Sequence, residues 1–412
     1  MEFSDGHRVR LLVGGQELFA AMAEALAQAE REVWLATYIF SDDEASYAVA
    51  QSLAQAAQRG VAVRVLVDGF GANLTLATLR KWWVGTGVQL EVFRPLDRWW
   101  AWLQPAQLRR MHHKLMAVDG QTAFVGGINI IDDRFDQTHG WVDQPRLDFA
   151  VQLHGALVQQ VQQVAQGLWT RAALGRDWRG EIADLARTSQ PVARTLQLLR
   201  ELRTTPSRAP GQTPSRSRLH EAVDLALVIR DNVRQRRSIE RTYIEAITRA
   251  RTRIDLACPY FYPGRAFRRA LRRAAERGVR IRLLMQGKID YRFAALAARV
   301  LYDEMLSRGI RVFEYTPAFL HAKVAAIDDN WATVGSSNID PLSLWLNLEA
   351  NVVVRHEPFV AELSSQLDDA FSQSVEVSAP PLSTGWRARL IRWLVASVAN
   401  TYLRLAGMNS RY

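Results

Sequence analysis

A polar pattern that occurs twice in the chain restricts its fold more than any other feature. The stretch "MHHKLMAVDGQTAFVGGINII" occupies residues 111–131, and "LHAKVAAIDDNWATVGSSNID" occupies residues 320–340. Each contains a His, a Lys two residues later, an Asp after five more, a Gly after seven more and an Asn after another three. A chance match at five positions is rare, on the order of one in ten thousand or less per copy. The two stretches therefore indicate a duplicated unit.

The repeat extends upstream of both stretches, through three further pairs of similar segments. These are "AEREVWLATYIF" (29–40) with "ARTRIDLACPYF" (250–261), "VAQSLAQAAQRGVAVRVLVDG" (49–69) with "FRRALRRAAERGVRIRLLMQG" (267–287), and "GVQLEVF" (87–93) with "GIRVFEY" (309–315). Each unit is predicted to run strand, helix, strand, helix, strand and then the polar pattern, the order of a layered α/β fold. Two such units packed about a pseudo-twofold axis would bring equivalent surfaces together, so we expect both polar patterns in one site.

The sequence also predicts where the two halves begin and end. We assign residues 1–202 to the first half, 203–219 to a linker, 220–377 to the second half and 378–412 to a C-terminal tail. The linker contains "RTTPSRAPGQTPSRSR", a composition rich in Pro, Ser and Arg that is typical of a mobile connection. A chain of 412 residues, 48% hydrophobic and 23% charged, suits two domains of about 200 residues each.

Composition excludes several classes of protein and narrows the choice of partner. A single cysteine, Cys258, excludes an intramolecular disulfide framework. The N-terminus lacks an apolar core of signal-peptide length, so we expect that the chain is not secreted, and no stretch approaches the ~20 apolar residues of a membrane span. The net charge of +10 favours an anionic partner, either nucleic acid or acidic lipid.

The repeated residues have the chemistry of a phosphate site. Each pattern begins in a short alternating segment, so we expect its His and Lys on one strand face, about 6–7 Å apart along the backbone. Together the two halves would supply imidazoles, ammonium groups and amides that donate hydrogen bonds to phosphate oxygens. The predicted donors are His112, Lys114 and Asn129 in the first half and His321, Lys323 and Asn338 in the second.

Two histidines also suit a double displacement at phosphorus. One neutral imidazole attacks and forms a phosphohistidine without a metal, and the other, protonated, gives its proton to the leaving alkoxide. We assign Asp148 in "RLDFAVQL" and Glu349 in "NLEANVVV" as the acids that orient the two rings. Asp119 and Asp328 complete the predicted catalytic sets, where we expect them to hold the loop and the Lys rather than to transfer protons.

Other interpretations of the pattern carry less weight. A single His–Lys pair is compatible with a solvated strand face, but two matched copies are not. A metal centre is disfavoured because no Cys joins the histidines and each neighbouring Lys would repel a cation, so we expect neither a metal nor another cofactor. The residues alone do not decide which histidine attacks.

The pattern resembles the HxKxxxxDxxxxxxGSxN signature of the phospholipase D superfamily, present here twice. Gly127 stands where the signature prefers Ser, whereas the second copy has Ser336, which the resemblance adds to the phosphate-binding set. The runs "NWATVGSSNIDPLSLWLNLEANV" (330–352), "LALVIRDN" (225–232) and "PYFYPGRAF" (259–267) look like the B group of bacterial cardiolipin synthases. The resemblance covers nearly the whole chain.

This resemblance implies a fold, a reaction and roles for the histidines. The fold would be two α/β/α sandwich halves (phospholipase D fold) related by a pseudo-twofold axis, with one shared active site. The reaction would be phosphatidyl transfer from phosphatidylglycerol, or another phospholipid, to a second phosphatidylglycerol, giving cardiolipin and glycerol. By the same analogy His112 is the nucleophile and His321 the acid. Both halves lie in one chain, so a monomer can hold a complete site.

Two segments are candidates for membrane contact. Eighteen residues (94–111) precede the first pattern where the second half has five, and they include Trp99, Trp100 and Trp102. These form either a packed loop or an interfacial loop. The tail segment "WRARLIRWLVASVANTYLRL" (386–405) is either a packed terminal helix or an amphipathic helix lying on an anionic surface. We expect a peripheral protein on the cytoplasmic face of a bacterial inner membrane.

Three function classes compete with the phosphatidyltransferase. A lipid hydrolase differs only in accepting water. A nuclease suits the charge of +10, although neither the Trp-rich loop nor the tail is needed to bind a duplex backbone. A non-catalytic binding protein would not require two intact His–Lys sets. The expected partners are anionic phospholipids, phosphatidylglycerol and cardiolipin, at a membrane surface, with no obligatory nucleic acid.

Overall fold

The computed structural model describes residues 2–95, 109–137, 139–185, 218–231, 235–288, 302–340, 343 and 347–378, with only the backbone given for 174–185. The three tryptophans of the predicted interfacial loop lie outside these ranges, as do residues 203–217 of the predicted linker and the tail from 379 onward. Leu219, the last residue of the predicted linker, is the first residue of a strand.

Apart from the short strands β7, β8 and β17, the strands of the two halves occur in the same order along the chain. In the first half they are β1 (Ser4–Val13), β2 (Glu32–Thr37), β3 (Ala62–Asp68), β4 (Gln89–Phe93), β5 (Leu115–Val118), β6 (Thr122–Gly126), β7 (Phe135–Asp136), β8 (Gly140–Trp141) and β9 (Phe149–His154). In the second half they are β10 (Leu219–Arg230), β11 (Arg253–Ala257), β12 (Arg280–Gln286), β13 (Arg311–Tyr315), β14 (Val324–Ile327), β15 (Trp331–Gly335), β16 (Glu349–Arg355) and β17 (Val375–Glu376).

Helices lie between these strands in both halves. They are α1 (Gly14–Ala27), α2 (Glu44–Gln58), α3 (Leu76–Trp82), α4 (Leu157–Leu185), α5 (Ser238–Arg249), α6 (Arg265–Glu276), α7 (Tyr302–Leu306) and α8 (Glu357–Ser372). Their starts follow local rules: Asp43, for example, caps α2 by accepting from the backbone N–H of Ser46 at 2.9 Å. In the Arg-rich α6, Phe267, Ala270, Leu271 and Ala274 are buried, so its Arg face is turned outward.

The order of strands in the main sheet shows the duplication directly. From one edge to the other the order is β17-β13-β12-β11-β14-β15-β16-β10-β1-β9-β6-β5-β2-β3-β4. Apart from β17, each strand of one half has a counterpart at the same distance from the β1–β10 pair. That central pair is antiparallel, as a twofold relation requires, whereas β2, β3 and β4 run parallel, as do β11, β12 and β13. The predicted α/β fold of two similar halves is confirmed.

Each half packs helices on both faces of its part of the sheet. In the first half, α1 and α2 cover Val33, Leu35 and Val63, whereas α4 packs against Ala36 and Leu66 on the opposite face. Alternate residues of one strand thus enter different cores, the expected pattern for a sheet buried on both faces. A further core joins the halves, with β6 and β9 of one half against β15 and β16 of the other. Among the described residues, no helix is both long and apolar enough to cross a lipid bilayer.

Candidate active site

We call residues 110–112 and 319–321, which carry the two histidines, the histidine segments. Each of them forms a short backbone bridge to the other half. Met111 forms a parallel bridge with Leu348, and Leu147 forms the equivalent bridge with Leu320. As a result, the backbone N–H of His112 donates to the carbonyl of Leu348 at 3.0 Å. The backbone N–H of His321 donates to the carbonyl of Leu147 at 2.9 Å. Each histidine is therefore hydrogen-bonded to the residue that immediately precedes the predicted orienting acid of the other half.

His112 is oriented by groups from the second half. Its Nδ1 lies 3.0 Å from Oε2 of Glu349 and 3.1 Å from the carbonyl oxygen of Ser336. A carbonyl oxygen only accepts, so Nδ1 carries the proton and donates, which leaves Nε2 as the unprotonated nitrogen of the neutral ring. The ring of Tyr38 packs edge-on against His112 with 4.9 Å between centroids. His112 thus has the tautomer that a nucleophilic imidazole needs.

His321 is oriented in the same way by the first half. Its Nδ1 lies 2.6 Å from Oδ2 of Asp148. The sequence had assigned Asp148 and Glu349 as orienting acids, and the structure places both against histidines. The pairing crosses between halves: Asp148 holds His321, and Glu349 holds His112. Neither half alone contains a histidine with its acid.

The two pairs differ electrostatically. Burial raises the pKa of Asp148 to about 7, although Lys323 acts against this. Burial also acts to raise the pKa of Glu349, but His112, Lys114 and a hydrogen bond from Ser336 together lower it below the ordinary value. The pKa of His112 is lowered, chiefly by burial, and that of His321 is lowered well below its ordinary value by burial and neighbouring cations. Near neutral pH, Glu349 is ionised, whereas Asp148 still takes up a proton.

The two lysines of the patterns are buried and bonded to the backbone of the histidines. Lys114 and Lys323 are 5% and 1% exposed, and each donates from Nζ to the carbonyl of its own histidine, His112 and His321. Strands β5 and β14 begin only after them, at Leu115 and Val324, so the His and Lys of each pattern precede the strand on which we expect them. Burial lowers the pKa of Lys114 to about 7 and also lowers that of Lys323. In its protonated form, each lysine lowers the pKa of the neighbouring histidines.

Asp119 and Asp328 lie at the far ends of β5 and β14, away from the histidines. The Asp119 carboxylate accepts from the backbone N–H groups of residues 30, 31 and 32 at 2.8–2.9 Å. The Asp328 carboxylate accepts in the same way from residues 251, 252 and 253 at 2.8–3.2 Å. Both residues have positive φ, 53° and 51°. The expectation that they hold a loop agrees with these contacts, but the expectation that they hold the Lys does not, and the structure does not bring them into the catalytic cluster.

The other three residues predicted to bind phosphate, Asn129, Asn338 and Ser336, each make a different contact. Asn129 lines the cleft between the histidines and accepts from the backbone N–H of Ile39 at 3.2 Å. Oδ1 of Asn338 lies 3.9 Å from Sγ of Cys258. Ser336 is fully buried, and its hydroxyl donates to Oε2 of Glu349 at 2.5 Å. The prediction that Ser336 contacts phosphate is therefore wrong: its hydroxyl holds the acid that orients His112.

Gly127 occupies the equivalent position in the first half. A Cβ at Gly127 would lie 2.3 Å from Oδ1 of Asp148, far closer than van der Waals contact permits. The glycine therefore makes room for the shorter acid of this half.

The cleft also contains residues that the sequence analysis missed. Those lining it beside His112, His321 and Asn129 are Tyr38, Ile39, Ile131, Asp136, Gln137, Arg146, Tyr260, Gln286, Phe319 and Leu320. Arg146 forms an ion pair with Asp136 at 3.7 Å and donates to the carbonyl of Phe135 at 2.9 Å. A basic residue two positions before the predicted acid Asp148 was a usable signal, since alternate residues of an extended segment point the same way.

Comparison with known proteins places this geometry in context. The sequence profile of the family described as "Cardiolipin synthase, PLD-like domain" matches residues 22–169 and 243–373. The chain is 34% identical over 386 residues to cardiolipin synthase B of Escherichia coli K12, covering 93% of this chain and 85% of that protein. It is 30% identical over 373 residues to cardiolipin synthase A of Pseudomonas putida GB-1, covering 90% of this chain and 70% of that protein.

A solved structure shares the fold over almost the full length. The crystal structure of phosphatidylserine synthase from Haemophilus influenzae Rd KW20 superposes with a TM-score of 0.66. The match covers 97% of this chain and 95% of that one at 13% sequence identity. At that identity, the likeness concerns the fold alone.

Proposed function

The chain belongs to the cardiolipin synthase family with phospholipase D-like domains and is a phospholipid phosphatidyltransferase, and from this premise we propose that it makes cardiolipin from phosphatidylglycerol through a phosphohistidine. One phosphatidylglycerol, or another phospholipid, gives its phosphatidyl group to a histidine and releases its headgroup. A second phosphatidylglycerol then accepts the group through a headgroup hydroxyl. The observation that carries the proposal is the pair of crossed His–acid contacts at a single cleft.

His112 is the nucleophile in this proposal. Glu349 and the carbonyl of Ser336 hold the proton on Nδ1, so the Nε2 lone pair is free to attack phosphorus. Attack forms the Nε2–P bond and breaks the bond from phosphorus to the leaving glycerol oxygen. The ionised Glu349 stabilises the positive charge that develops on the ring, as the acid of a hydrolytic triad does.

His321 supplies and later removes the proton. The pKa of Asp148 is raised to about 7, so the His321–Asp148 pair retains a proton near neutral pH. That proton passes to the leaving glycerol alkoxide in the first step. In the second step His321 takes a proton from the hydroxyl of the incoming phosphatidylglycerol as its oxygen attacks the phosphohistidine and releases His112.

The cleft suits a phosphodiester with a hydroxylated headgroup. Arg146, which lines the cleft, supplies positive potential for the phosphate, and the protonated fractions of the buried Lys114 and Lys323 add to it. Asp136 and Gln137, on the hairpin of β7 and β8, present side chains that can hydrogen-bond glycerol hydroxyls. We further propose that the protein works at the cytoplasmic surface of the bacterial inner membrane, where its substrates lie.

The first test is mass spectrometry of the products formed from phosphatidylglycerol vesicles in the presence of EDTA. Cardiolipin and released glycerol in the parent protein, with neither in His112→Ala or His321→Ala, are the expected results. Addition of phosphatidylethanolamine then tests the choice of donor. Phosphatidic acid as the only product would make water the acceptor and the protein a hydrolase. Cleavage of added DNA without any lipid product would overturn the lipid assignment in favour of a nuclease.

A further inference from the structure

The last residues of two equivalent strands make the same contact with the two histidine segments. Asp68 ends β3, and its Oδ2 accepts from the backbone N–H of Met111 at 2.9 Å. Gln286 ends β12, and its Oε1 accepts from the backbone N–H of Leu320 at 2.7 Å. Met111 and Leu320 immediately precede His112 and His321. An acid in one half and an amide in the other therefore perform the same contact.

Each acceptor is followed by a glycine whose backbone N–H bonds to the neighbouring strand. Gly69 donates from its backbone N–H to the carbonyl of Phe93 at 2.8 Å, and Gly287 donates to that of Tyr315 at 3.0 Å. A Cβ at Gly69 would lie 2.4 Å from the carbonyl oxygen of Arg94, and one at Gly287 would lie 2.7 Å from that of Tyr315. Only glycine allows these close approaches, so each strand end is fixed relative to the next strand.

Together with the bridge to the other half, this contact holds the backbone just before each histidine from two sides, an arrangement we call the clamp. On one side of this segment, Leu348 donates to the carbonyl of Arg110 at 2.9 Å and accepts from His112 at 3.0 Å. The N–H of Met111, between those two residues, turns to the opposite side and reaches Asp68. Leu320 lies in the same way between Leu147 of the other half and Gln286. Each segment is thus held from both halves at once.

We propose that Asp68 and Gln286 are positioning residues that set the reach of the two reactive imidazoles by clamping the residue before each histidine. The inference rests on the proposed function, in which each ring must meet phosphorus or an oxygen at close range. A shift of about 1 Å at a reacting group can cost on the order of a hundredfold in rate. Asp68 is fully buried and does not line the cleft. Its Oδ1 accepts from the backbone N–H groups of Phe70 and Gly71 and pairs with Arg110 at 3.8 Å, and Oδ2 is the atom that holds the residue before His112.

The test compares Asp68→Leu, which keeps the branched shape of the side chain but removes both oxygens and all their contacts, with Asp68→Asn, whose amide oxygen can still accept as Gln286 does. We expect kcat with phosphatidylglycerol vesicles to fall roughly ten- to a hundredfold in Asp68→Leu with KM within about twofold of the parent, and to fall less in Asp68→Asn. Gln286→Met should lower kcat similarly through His321.

Asp255→Asn is the matched control. Asp255 is a fully buried carboxylate in the middle of β11, bonded to Arg282 at 2.7 and 2.8 Å, and its strand partners are Arg282 and Ala326 rather than Met111 or Leu320. We expect this change to lower Tm while leaving kcat unchanged. A kcat in Asp68→Leu equal to that of the parent, or a loss matched by Asp255→Asn at the same decrease in Tm, would overturn the clamp. An altered KM with unaltered kcat in Gln286→Met would make Gln286 a substrate contact instead.

Hydrogen exchange provides a readout that does not depend on turnover. Peptides that contain Met111 should exchange faster in Asp68→Leu than in the parent, and those that contain Leu320 should exchange faster in Gln286→Met. Unchanged exchange at both segments would refute the clamp even if activity fell. If the parent protein makes no cardiolipin, the proposed function fails, whereas the exchange result still decides whether the two segments are clamped.

Discussion

The acid that orients each histidine differs in length between the halves, and the residue packed against that acid differs in size in the opposite sense. Gly127 lies against Asp148, and Ser336 donates to Glu349 at 2.5 Å. The longer acid leaves space for a serine beneath it, and the shorter acid needs a glycine. The departure from the family signature at Gly127 is thus coupled to the choice of Asp in that half.

Restoring the signature serine at this position should therefore damage the enzyme. In Gly127→Ser the new Cβ would meet Oδ1 of Asp148 at 2.3 Å and push the acid away from His321. We expect kcat for cardiolipin formation to fall by about a hundredfold. The double variant Gly127→Ser with Asp148→Glu, which copies the pair of the second half, should recover much of that loss. If the single variant has full activity, or the double variant is no better, the two positions are not coupled as argued.

The raised pKa of Asp148 predicts a pH dependence of turnover. An acid that must donate a proton loses this ability as pH rises through its pKa, so kcat should fall above a pH of about 7, by about tenfold per unit. In Asp148→Asn the remaining group is His321, whose pKa is well below its ordinary value, so the decline should begin at lower pH. The measurement is kcat against pH at constant ionic strength for both proteins. A decline that stays near 7 in the variant would point to Lys114, whose pKa is lowered to about 7, and not to the His321–Asp148 pair.

At the scale of elements, Asp119 and Asp328, the aspartates of the two patterns, each connect the end of one strand to the loop that precedes a neighbouring strand. Asp119 follows β5 and binds three backbone N–H groups at the start of β2, and Asp328 does the same between β14 and β11. These contacts pair β5 with β2 and β14 with β11 in the correct register. The spacing within the pattern thus reflects strand length as well as chemistry.

A change at Asp119 should therefore affect stability more than catalysis. Asp119→Ala removes an acceptor of three backbone hydrogen bonds, and we expect the free energy of unfolding to fall by about 2–3 kcal/mol with kcat within about threefold of the parent. Chemical denaturation and steady-state assays measure the two quantities. His321→Ala is the opposite control, with little change in stability and loss of turnover. Turnover abolished in a stable Asp119→Ala protein would return Asp119 to the catalytic set.

Sequence reasoning predicted the elements of the fold that have a strong periodic signal. Strands β2, β3 and β4 and their counterparts β11, β12 and β13 were expected because both copies show them at matched spacing. The central strands β1 and β10 were not assigned to the repeat, because "SDGHRVRLLV" and "LHEAVDLALVIR" share little sequence. The pairing of these strands is a long-range contact, which a local pattern does not reveal.

At the scale of the whole molecule, the site exists only because the two halves interlock. The sequence predicts the histidines and their acids as four separate positions and does not decide which acid holds which histidine. The bridges Met111–Leu348 and Leu147–Leu320 place each histidine beside the acid of the other half. Such an exchange depends on how the two units pack, so it was visible only in three dimensions.

The crossed arrangement leads to a prediction about mixtures of inactive variants. Because one chain supplies both histidines and both acids, a mixture of His112→Ala and His321→Ala should make no cardiolipin above the level of either variant alone. The halves are held together by the β1–β10 pairing, the shared core and both backbone bridges, so they should not exchange between chains. Product formation by the mixed, separately purified variants is compared with that of a mixture of each variant with the parent. Recovered activity in the double-variant mixture would mean that a site can be assembled from halves of two chains.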